Sequence, residues 1–138
     1  MSETRAQDEV NSSGQSEEHI AETIDTFLGL EGWQVFAFAK PRSHRHLGGI
    51  VPTGWFDRLA IKRTRLRVPP MLDPTWYTTY LHLEYKRPGL GLSPAQRTLK
   101  AELESMGCLC FCLHSVEEAA AMLRGLGYEL RTGLKEVP

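Results

Sequence analysis

Apolar residues at helical spacing and helix-capping patterns predict three helices along the chain. The first covers residues 16–30, with Ser16 as its N-cap, and one of its faces carries Ile20, Ile24, Phe27 and Leu28. The second follows Ser93, has a proline at its first position and runs to about Met106. The third opens at a capping box that begins with Ser115, and it runs to about Gly125.

Four shorter apolar stretches predict strands, because each is bounded by Gly, Pro or polar residues. They cover residues 33–39, 56–63, 78–86 and 108–113. Glycines and prolines make residues 40–53 a loop, and the prolines of residues 68–74 interrupt regular structure before the third strand. The element order α-β-β-β-α-β-α predicts an α/β fold.

The length of 138 residues suits one domain. We expect a disordered acidic segment over residues 1–15, a folded domain over 16–127 and a short tail over 128–138, which adds a strand or is loose. No apolar run reaches the roughly 20 residues that cross a bilayer, and the polar N-terminus is no secretory signal. Three alternating cysteines would share one strand face and stay reduced, which favours a cytoplasmic protein: Cys108, Cys110 and Cys112.

The net charge of −1 conceals an uneven distribution. Residues 1–25 contain seven acids and one base, whereas residues 40–100 contain twelve Lys or Arg and three acids. Two of those three acids are Asp57 and Glu84. A basic central region suits the phosphate backbone of a nucleic acid, although basic residues can also simply solvate a surface.

Asp57, Glu84 and Lys86 carry the candidate chemistry. Because side chains alternate along a strand, Glu84 and Lys86 would share one face while Tyr85 points away. Asp57 would arrive from the neighbouring strand. Two carboxylates can hold a hard cation through oxygen, and a lysine beside them can orient a water for hydrolysis. The ordinary alternatives are a turn role for Asp57, an ion pair of Glu84 with a neighbouring Arg or Lys, and a solvated Lys86.

These residues and their neighbours resemble the VRR-NUC family of the PD-(D/E)XK nuclease superfamily. The resemblance covers about residues 17–126, and the matching positions follow the family pattern in order and spacing. They are Gly54, Asp57, Glu84, Lys86, Pro88, Ser93, Pro94, Gln96 and Gly107. Phe56 stands where the family often has a proline, which is not a ligand.

The resemblance implies a restriction-endonuclease-like core, in which helices flank a mixed four-stranded sheet. It also implies a Mg²⁺- or Mn²⁺-dependent DNA endonuclease that leaves a 5′-phosphate and a 3′-hydroxyl. Asp57, Glu84 and the backbone carbonyl of Tyr85 would bind the metal, and Lys86 would position the attacking water. Small members of the family pair as homodimers and cut branched DNA such as four-way (Holliday) junctions. The resemblance therefore implies a role in repair, recombination or restriction, in a bacterial or phage-infected cell.

Gln96 and an acid of the first helix complete the expected site. In the family a glutamine at this place faces the active site, while the pattern Ser93-x-x-Gln96 is also explained by helix capping. Aligning the apolar positions of the first helix puts Glu17 at the place of the family's helical glutamate. Glu18 and Glu22 are its competitors, and a solvated acidic face is the ordinary explanation.

Basic residues before Asp57 and after Lys86 are the expected DNA contacts: Lys40, Arg42, His44, Arg45, His46 and Arg87. Trp76 and Tyr77, in the connection between the second and third strands, could stack on unpaired bases, wedge a junction, or pack in the core or a dimer interface. Two other functions stay open, namely a non-catalytic DNA-binding module and a protein-binding subunit of a repair or phage assembly.

Overall fold

The computed structural model describes residues 16–38, 55–66 and 75–132. These residues form a mixed α/β fold, and the predicted order α-β-β-β-α-β-α is confirmed. In this part of the chain, no helix is long and apolar enough to cross a membrane. The elements are α1 (Glu17–Leu30), β1 (Gln34–Ala37), β2 (Arg58–Leu66), β3 (Thr75–Tyr85), α2 (Pro94–Ser105), β4 (Leu109–Leu113) and α3 (Val116–Gly125).

Serine side chains begin all three helices, as the sequence predicts. The Ser16 hydroxyl accepts a hydrogen bond from His19 N at 3.2 Å, and the Ser115 hydroxyl accepts one from Glu118 N at 3.1 Å. These bonds satisfy backbone donors that have no partner within a helix. Gly107 follows the last turn of α2 with φ of 88°, a backbone conformation that favours glycine.

The four strands form one mixed sheet in the order β1-β2-β3-β4. The first three are antiparallel neighbours, and β4 runs parallel to β3 because α2 carries the chain back along the sheet. Arg58 lies opposite Leu83 across β2 and β3. This register brings the start of β2, the end of β3 and the end of β4 to the same edge of the sheet.

The β2–β3 pair is longer than the sequence indicates. The second and third strands were predicted over residues 56–63 and 78–86, whereas pairing continues to Leu66 opposite Thr75. The placement of Trp76 and Tyr77 in a connection was therefore wrong, because both are residues of β3. Aromatic and β-branched residues favour strands, and the ladder to β2 extends the pairing through a stretch that lacks apolar alternation.

The main core lies between one face of the sheet and helices α1 and α3. All four predicted apolar residues of α1 are buried there, together with residues of β3 and α3: Ile20, Ile24, Phe27, Leu28, Leu81, Leu83, Ala119 and Leu123. A smaller cluster lies on the opposite sheet face under α2, and it consists of Phe56, Leu99, Leu103 and Cys110. Phe56, which replaces a proline of the resembled family, anchors this second cluster at 1% exposure.

The beginning of the predicted tail packs against the domain without forming a strand over residues 128–132. The Tyr128 ring meets the Trp33 ring edge to face at 5.3 Å, and the Tyr128 hydroxyl donates to Thr79 Oγ1 at 2.8 Å. The buried carboxylate of Glu31 accepts hydrogen bonds from the backbone N–H groups of Arg131 and Thr132. Residues up to Thr132 therefore belong to the packed unit. Gly54, the predicted N-terminal segment 1–15 and the last residues of the tail lie outside the described residues.

Candidate active site

Glu84 is a charged residue placed entirely inside the protein. It sits at the end of β3 with 0% exposure, and its Oε2 lies 3.3 Å from Lys86 Nζ. Lys86 N donates to Leu113 O at 3.0 Å, so the ladder between β3 and the β4 end continues past the last residue of β3. The prediction that Glu84 and Lys86 share one face is confirmed by this ion pair. Lys86 is thus the ionic partner that the sequence offered as the ordinary alternative.

Asp57 reaches the same edge of the sheet from the start of β2. Its backbone N–H donates to Glu84 Oε1 at 3.0 Å, across 27 positions of sequence. The register explains this contact, because Asp57 precedes Arg58, which lies opposite Leu83, the neighbour of Glu84. The two predicted carboxylate residues therefore lie side by side, as the sequence predicts.

One oxygen of the Glu84 carboxylate has no hydrogen bond. Oε2 is buried, and although Lys86 Nζ is within ion-pair distance, no donor is directed at this oxygen. Buried carboxylate oxygens are costly unless they are bonded, paired or ligated to a cation. Oxygen atoms of this kind are the ligands that hard divalent cations take, and the contact that links the two acidic residues here is the hydrogen bond from Asp57 N to Glu84 Oε1.

A metal ion at this place would take few of its ligands from the protein. Among residues 16–38, 55–66 and 75–132, no three His, Cys, Asp or Glu side chains are grouped to hold a metal ion. Mg²⁺ in nucleotide and phosphodiester chemistry commonly uses one or two carboxylates, with waters and phosphate oxygens completing its shell. The pair Asp57 and Glu84 matches that pattern and differs from an all-protein cage.

Gln96 forms the capping box that its sequence pattern predicts. Its backbone N–H donates to Ser93 Oγ at 3.1 Å, and its side-chain Oε1 accepts from Ser93 N at 2.9 Å. The side chain is buried at 6% exposure. Because the carboxamide oxygen is used for helix initiation, only the NH₂ group is left for a substrate, and the active-site role of Gln96 stays a prediction.

An acid of α1 that the sequence did not single out reaches this end of the sheet. Asp25 lies 3.2 Å from Arg58 Nε and accepts a 2.8 Å hydrogen bond from the Tyr85 hydroxyl. The Arg58 guanidinium lies over the Tyr85 ring, 5.1 Å from its centre. Burial and then the Asp25 charge raise the pKa of the Tyr85 phenol, so this side chain stays a neutral donor.

Asp25, Arg58 and Tyr85 form a cluster on the sheet face opposite to Glu84, and this cluster stabilises the backbone of the site. Arg58 and Tyr85 are sequence neighbours of Asp57 and Glu84, so the contacts of Asp25 hold the two backbone segments that carry the carboxylates. The sequence feature that could have pointed to Asp25 is its charge, because it lies near the apolar face of α1. Glu17, Glu18 and Glu22 are exposed on α1, and the assignment of Glu17 to the site stays a prediction.

Cys112 lies next to Glu84 on β4, opposite it in the parallel register. Burial and then the Glu84 charge raise the pKa of the Cys112 thiol, so it is a neutral neighbour of the ion pair. Burial likewise raises the pKa of Cys110 to about 11. The three cysteines are free thiols, in agreement with the expectation of reduced cysteines.

His114 ties the turn after Lys86 to α3. Its Nε2 lies 2.6 Å from Leu90 O and its Nδ1 lies 3.0 Å from Glu118 Oε1. Partial burial alone would lower the pKa of His114, but hydrogen bonds to Glu118 and Leu90 outweigh burial and raise it. Both ring nitrogens face acceptors, and only the protonated imidazolium can donate to both.

Stability should therefore decrease with rising pH through His114. Since its folded-state pKa lies above the ordinary value of 6.5, the imidazolium stabilises the fold fully below that pH. The stabilisation is lost as pH rises through the folded-state pKa. We expect the urea midpoint of the wild type to fall between about pH 5.5 and about pH 8.5, and the fall to be smaller in His114→Gln. His19→Gln, at an exposed histidine of α1, should follow the wild type; an identical slope in His114→Gln would contradict this role.

Most of the predicted DNA contacts lie outside the described residues. These are Lys40, Arg42, His44, Arg45 and His46. Arg87 is described and half-buried, and its carbonyl accepts from Leu90 N at 3.0 Å in the turn that follows Lys86. Its contact with DNA stays a prediction.

Comparisons of the chain with protein-family models, with curated proteins and with solved structures found no match. The roles of Asp57, Glu84 and Lys86 accordingly rest on their own chemistry and geometry. That geometry consists of two carboxylate residues joined by a hydrogen bond, a buried oxygen without a donor, and a lysine 3.3 Å from it.

Proposed function

We propose that this protein is a metal-dependent DNA endonuclease with a restriction-endonuclease-like core. The observation that carries the proposal is the fully buried Glu84, whose Oε2 has no hydrogen bond while Asp57 and Lys86 lie beside it. Burial of a carboxylate costs desolvation free energy. Such a cost is typical of a carboxylate that binds a ligand or takes part in a reaction. The mixed sheet, the element order and the sequence resemblance support the same proposal.

Asp57, Glu84 and the Tyr85 carbonyl would hold Mg²⁺ or Mn²⁺. When bound, the cation supplies charge neutralisation at the scissile phosphate and activation of a water for attack. Asp57 N–H fixes Glu84 Oε1 in the structure, so only Oε2 of that carboxylate is left to turn toward a ligand. The hydrogen bond thereby sets the orientation of the carboxylate before any ligand arrives.

Lys86 would act on the reacting phosphate. Its side chain is 19% exposed, so the ammonium lies at the border between the buried Glu84 and solvent. From this position it can orient the attacking water and stabilise negative charge that grows on the phosphate oxygens. Its ion pair with Glu84 holds the ammonium in place. The water oxygen would bond to phosphorus as the bond between phosphorus and the 3′ oxygen breaks. The 3′ oxygen would take up a proton, which leaves a 5′-phosphate and a 3′-hydroxyl.

The charge of the sheet favours nucleic acid as the substrate. The described strand segments 34–38, 58–66 and 75–83 contain four Lys or Arg and no Asp or Glu. Arg63 lies on the face that carries Glu84, whereas Arg58 and Lys62 lie on the α1 face, where they contact Asp25 and the Glu31 carbonyl. The acids of this sheet region are Asp57 and Glu84, at the proposed site. An acid-free surface next to a cation site attracts a polyanion and directs its phosphate toward the carboxylates. A non-catalytic DNA-binding module would use the same surface, and metal-dependent cutting separates the two functions.

We further propose a homodimer that cuts branched DNA. The experiment offers the purified protein a labelled four-way junction and a linear duplex of the same arm sequence, with Mg²⁺ or Mn²⁺. We expect the junction to be cut at least about tenfold faster, because recognition by shape discriminates between substrates with the same charge per nucleotide. Equal rates on both substrates would leave a nuclease without structure specificity, and binding without cutting would favour the DNA-binding module.

A further inference from the structure

The sheet face that carries Glu84 is only partly covered by helix. In the described part of the chain, α2 packs on β4, whereas aromatic side chains stay exposed on the same face over β1 and β3. Exposure reaches 44% for Phe36, 54% for Trp76 and 52% for Tyr80. Alternation along β3 puts Trp76, Tyr80 and Glu84 on one face, since these residues are separated by even numbers of positions. We call Phe36, Phe38, Arg63, Trp76 and Tyr80 the open sheet face.

A row of rings connects the open sheet face with the proposed active site. The Phe38 ring meets Trp55 edge to face at 6.1 Å, and Trp55 meets His82 in the same way at 5.6 Å. His82 is two residues before Glu84 on β3 and so points to the same side. An occupant of the open sheet face would therefore extend along β3 to the carboxylates.

The open sheet face carries a positive charge beside its rings. The Arg63 guanidinium lies over the Trp76 ring, 4.8 Å from its centre. The paired strand segments that form the face contain no acid before Glu84. Exposed rings interleaved with a cation are the equipment that proteins use to bind single-stranded nucleic acid, because bases stack on the rings and the cation meets the phosphates.

The length of the face also suits a nucleic-acid strand. Glu84 follows Trp76 by eight positions, which corresponds to about 26 Å at the rise of a β-strand. Single-strand-binding domains occupy about four nucleotides or more with surfaces of this kind. A strand held by Trp76 and Tyr80 would thus deliver its phosphates to Asp57, Glu84 and Lys86.

We propose that the open sheet face stacks on unpaired bases of the substrate. Among branched substrates, the protein would then prefer those that carry a single-stranded segment next to the cleaved phosphodiester. This inference rests on the proposed nuclease function, because it assumes that the bound DNA is a substrate. Its test measures DNA binding alone. A second copy of the chain is the competing occupant, and the experiment distinguishes the two.

The test measures binding of the full chain to fluorescent oligonucleotides in EDTA, so that no cutting occurs. The probes are a single strand, a duplex with an unpaired tail, and a blunt duplex of the same sequence. Trp76→Ala and Tyr80→Ala should each weaken binding of the tailed duplex about tenfold, the size of effect that loss of one stacking ring commonly has. Binding of the blunt duplex should change less than about twofold.

Tyr77→Ala is the matched control. Tyr77 is the next residue of β3, has 43% exposure and points to the other face of the sheet. Its removal should leave binding of all three probes within about twofold of the wild type. Trp76→Phe keeps a ring and should restore tight binding of the tailed duplex, which separates stacking from damage to the strand. Circular dichroism melts of every variant check that the fold is intact.

Two results would overturn the inference. One is unchanged binding of the tailed duplex by both Trp76→Ala and Tyr80→Ala. The other is a wild-type dimer that becomes monomeric in these variants by light scattering, with DNA affinity per protomer unchanged, which would assign the face to a second copy. Stacking on tailed DNA without cutting under Mg²⁺ or Mn²⁺ would support the open sheet face and reject the nuclease. Metal-dependent cutting by variants whose DNA binding is unchanged would support the nuclease and reject stacking on the open sheet face.

Discussion

Glu84→Gln should reduce metal-dependent DNA cleavage by at least about a hundredfold. Glutamine keeps an oxygen that can accept from Asp57 N, so the backbone contact at 3.0 Å is preserved. It removes the negative charge that would hold the cation and that pairs with Lys86 at 3.3 Å. DNA affinity without metal should stay equal or increase, because one negative charge beside the phosphate is lost. Single-turnover cleavage and anisotropy binding measure the two quantities separately.

The Lys100–Glu104 pair provides the control for this substitution. It is also a lysine–glutamate ion pair, 3.5 Å apart, but Glu104 is on the exposed side of α2. Glu104→Gln should leave cleavage within about twofold of the wild type, since exposed pairs contribute little. Comparable loss of cleavage in both variants would mean that net charge, rather than the geometry at Glu84, controls the reaction. Full activity in a folded Glu84→Gln protein would remove Glu84 from the site.

Glu31→Ala should lower the free energy of unfolding by about 3 kcal/mol. Glu31 is 2% exposed, and its carboxylate accepts backbone hydrogen bonds from Arg131 and Thr132. Alanine would leave these donors unpaired and would release residues 128–132 from the sheet. The release should expose the face of Trp33 that Tyr128 covers. Urea unfolding followed by tryptophan fluorescence measures the loss.

A matched exposed acid separates this effect from a general loss of negative charge. Glu102 lies on the exposed side of α2, so Glu102→Ala should change stability by less than about 0.5 kcal/mol. Glu31→Gln keeps one acceptor oxygen and should fall between the wild type and Glu31→Ala. A Glu31→Ala protein within about 1 kcal/mol of the wild type would show that the tail contributes little to the fold.

Much of this fold could be predicted because helix caps, apolar periodicity and strand alternation are each visible within a short stretch of sequence. Serine caps and apolar periodicity predicted α1, α2 and α3 within one or two residues at each end. Strand alternation predicted that Glu84 and Lys86 meet. The extension of β2 and β3 to Leu66 and Thr75 could not be read in this way, because it depends on pairing between strands and not on the pattern within either strand.

Contacts between distant parts of the chain, at the site and at the tail, were missed for a related reason. Asp25 meets Arg58 and Tyr85 across 33 and 60 positions of sequence, and Glu31 meets Arg131 across 100. No local pattern marks such partners, since each depends on how α1 settles on the sheet. Glu17 was suggested by the spacing of the resembled family, whereas the α1 acid in contact with Arg58 and Tyr85 is Asp25.

The central claim is that the pair of carboxylates and Lys86 perform metal-dependent phosphodiester hydrolysis. The most direct measurement is cleavage of a labelled four-way junction by the wild type and by Lys86→Ala, each with Mg²⁺, with Mn²⁺ and with EDTA. We predict cutting by the wild type with either metal, none with EDTA, and loss of cutting in the folded Lys86→Ala protein. A folded wild type that binds the junction but cuts it under neither metal would contradict the claim.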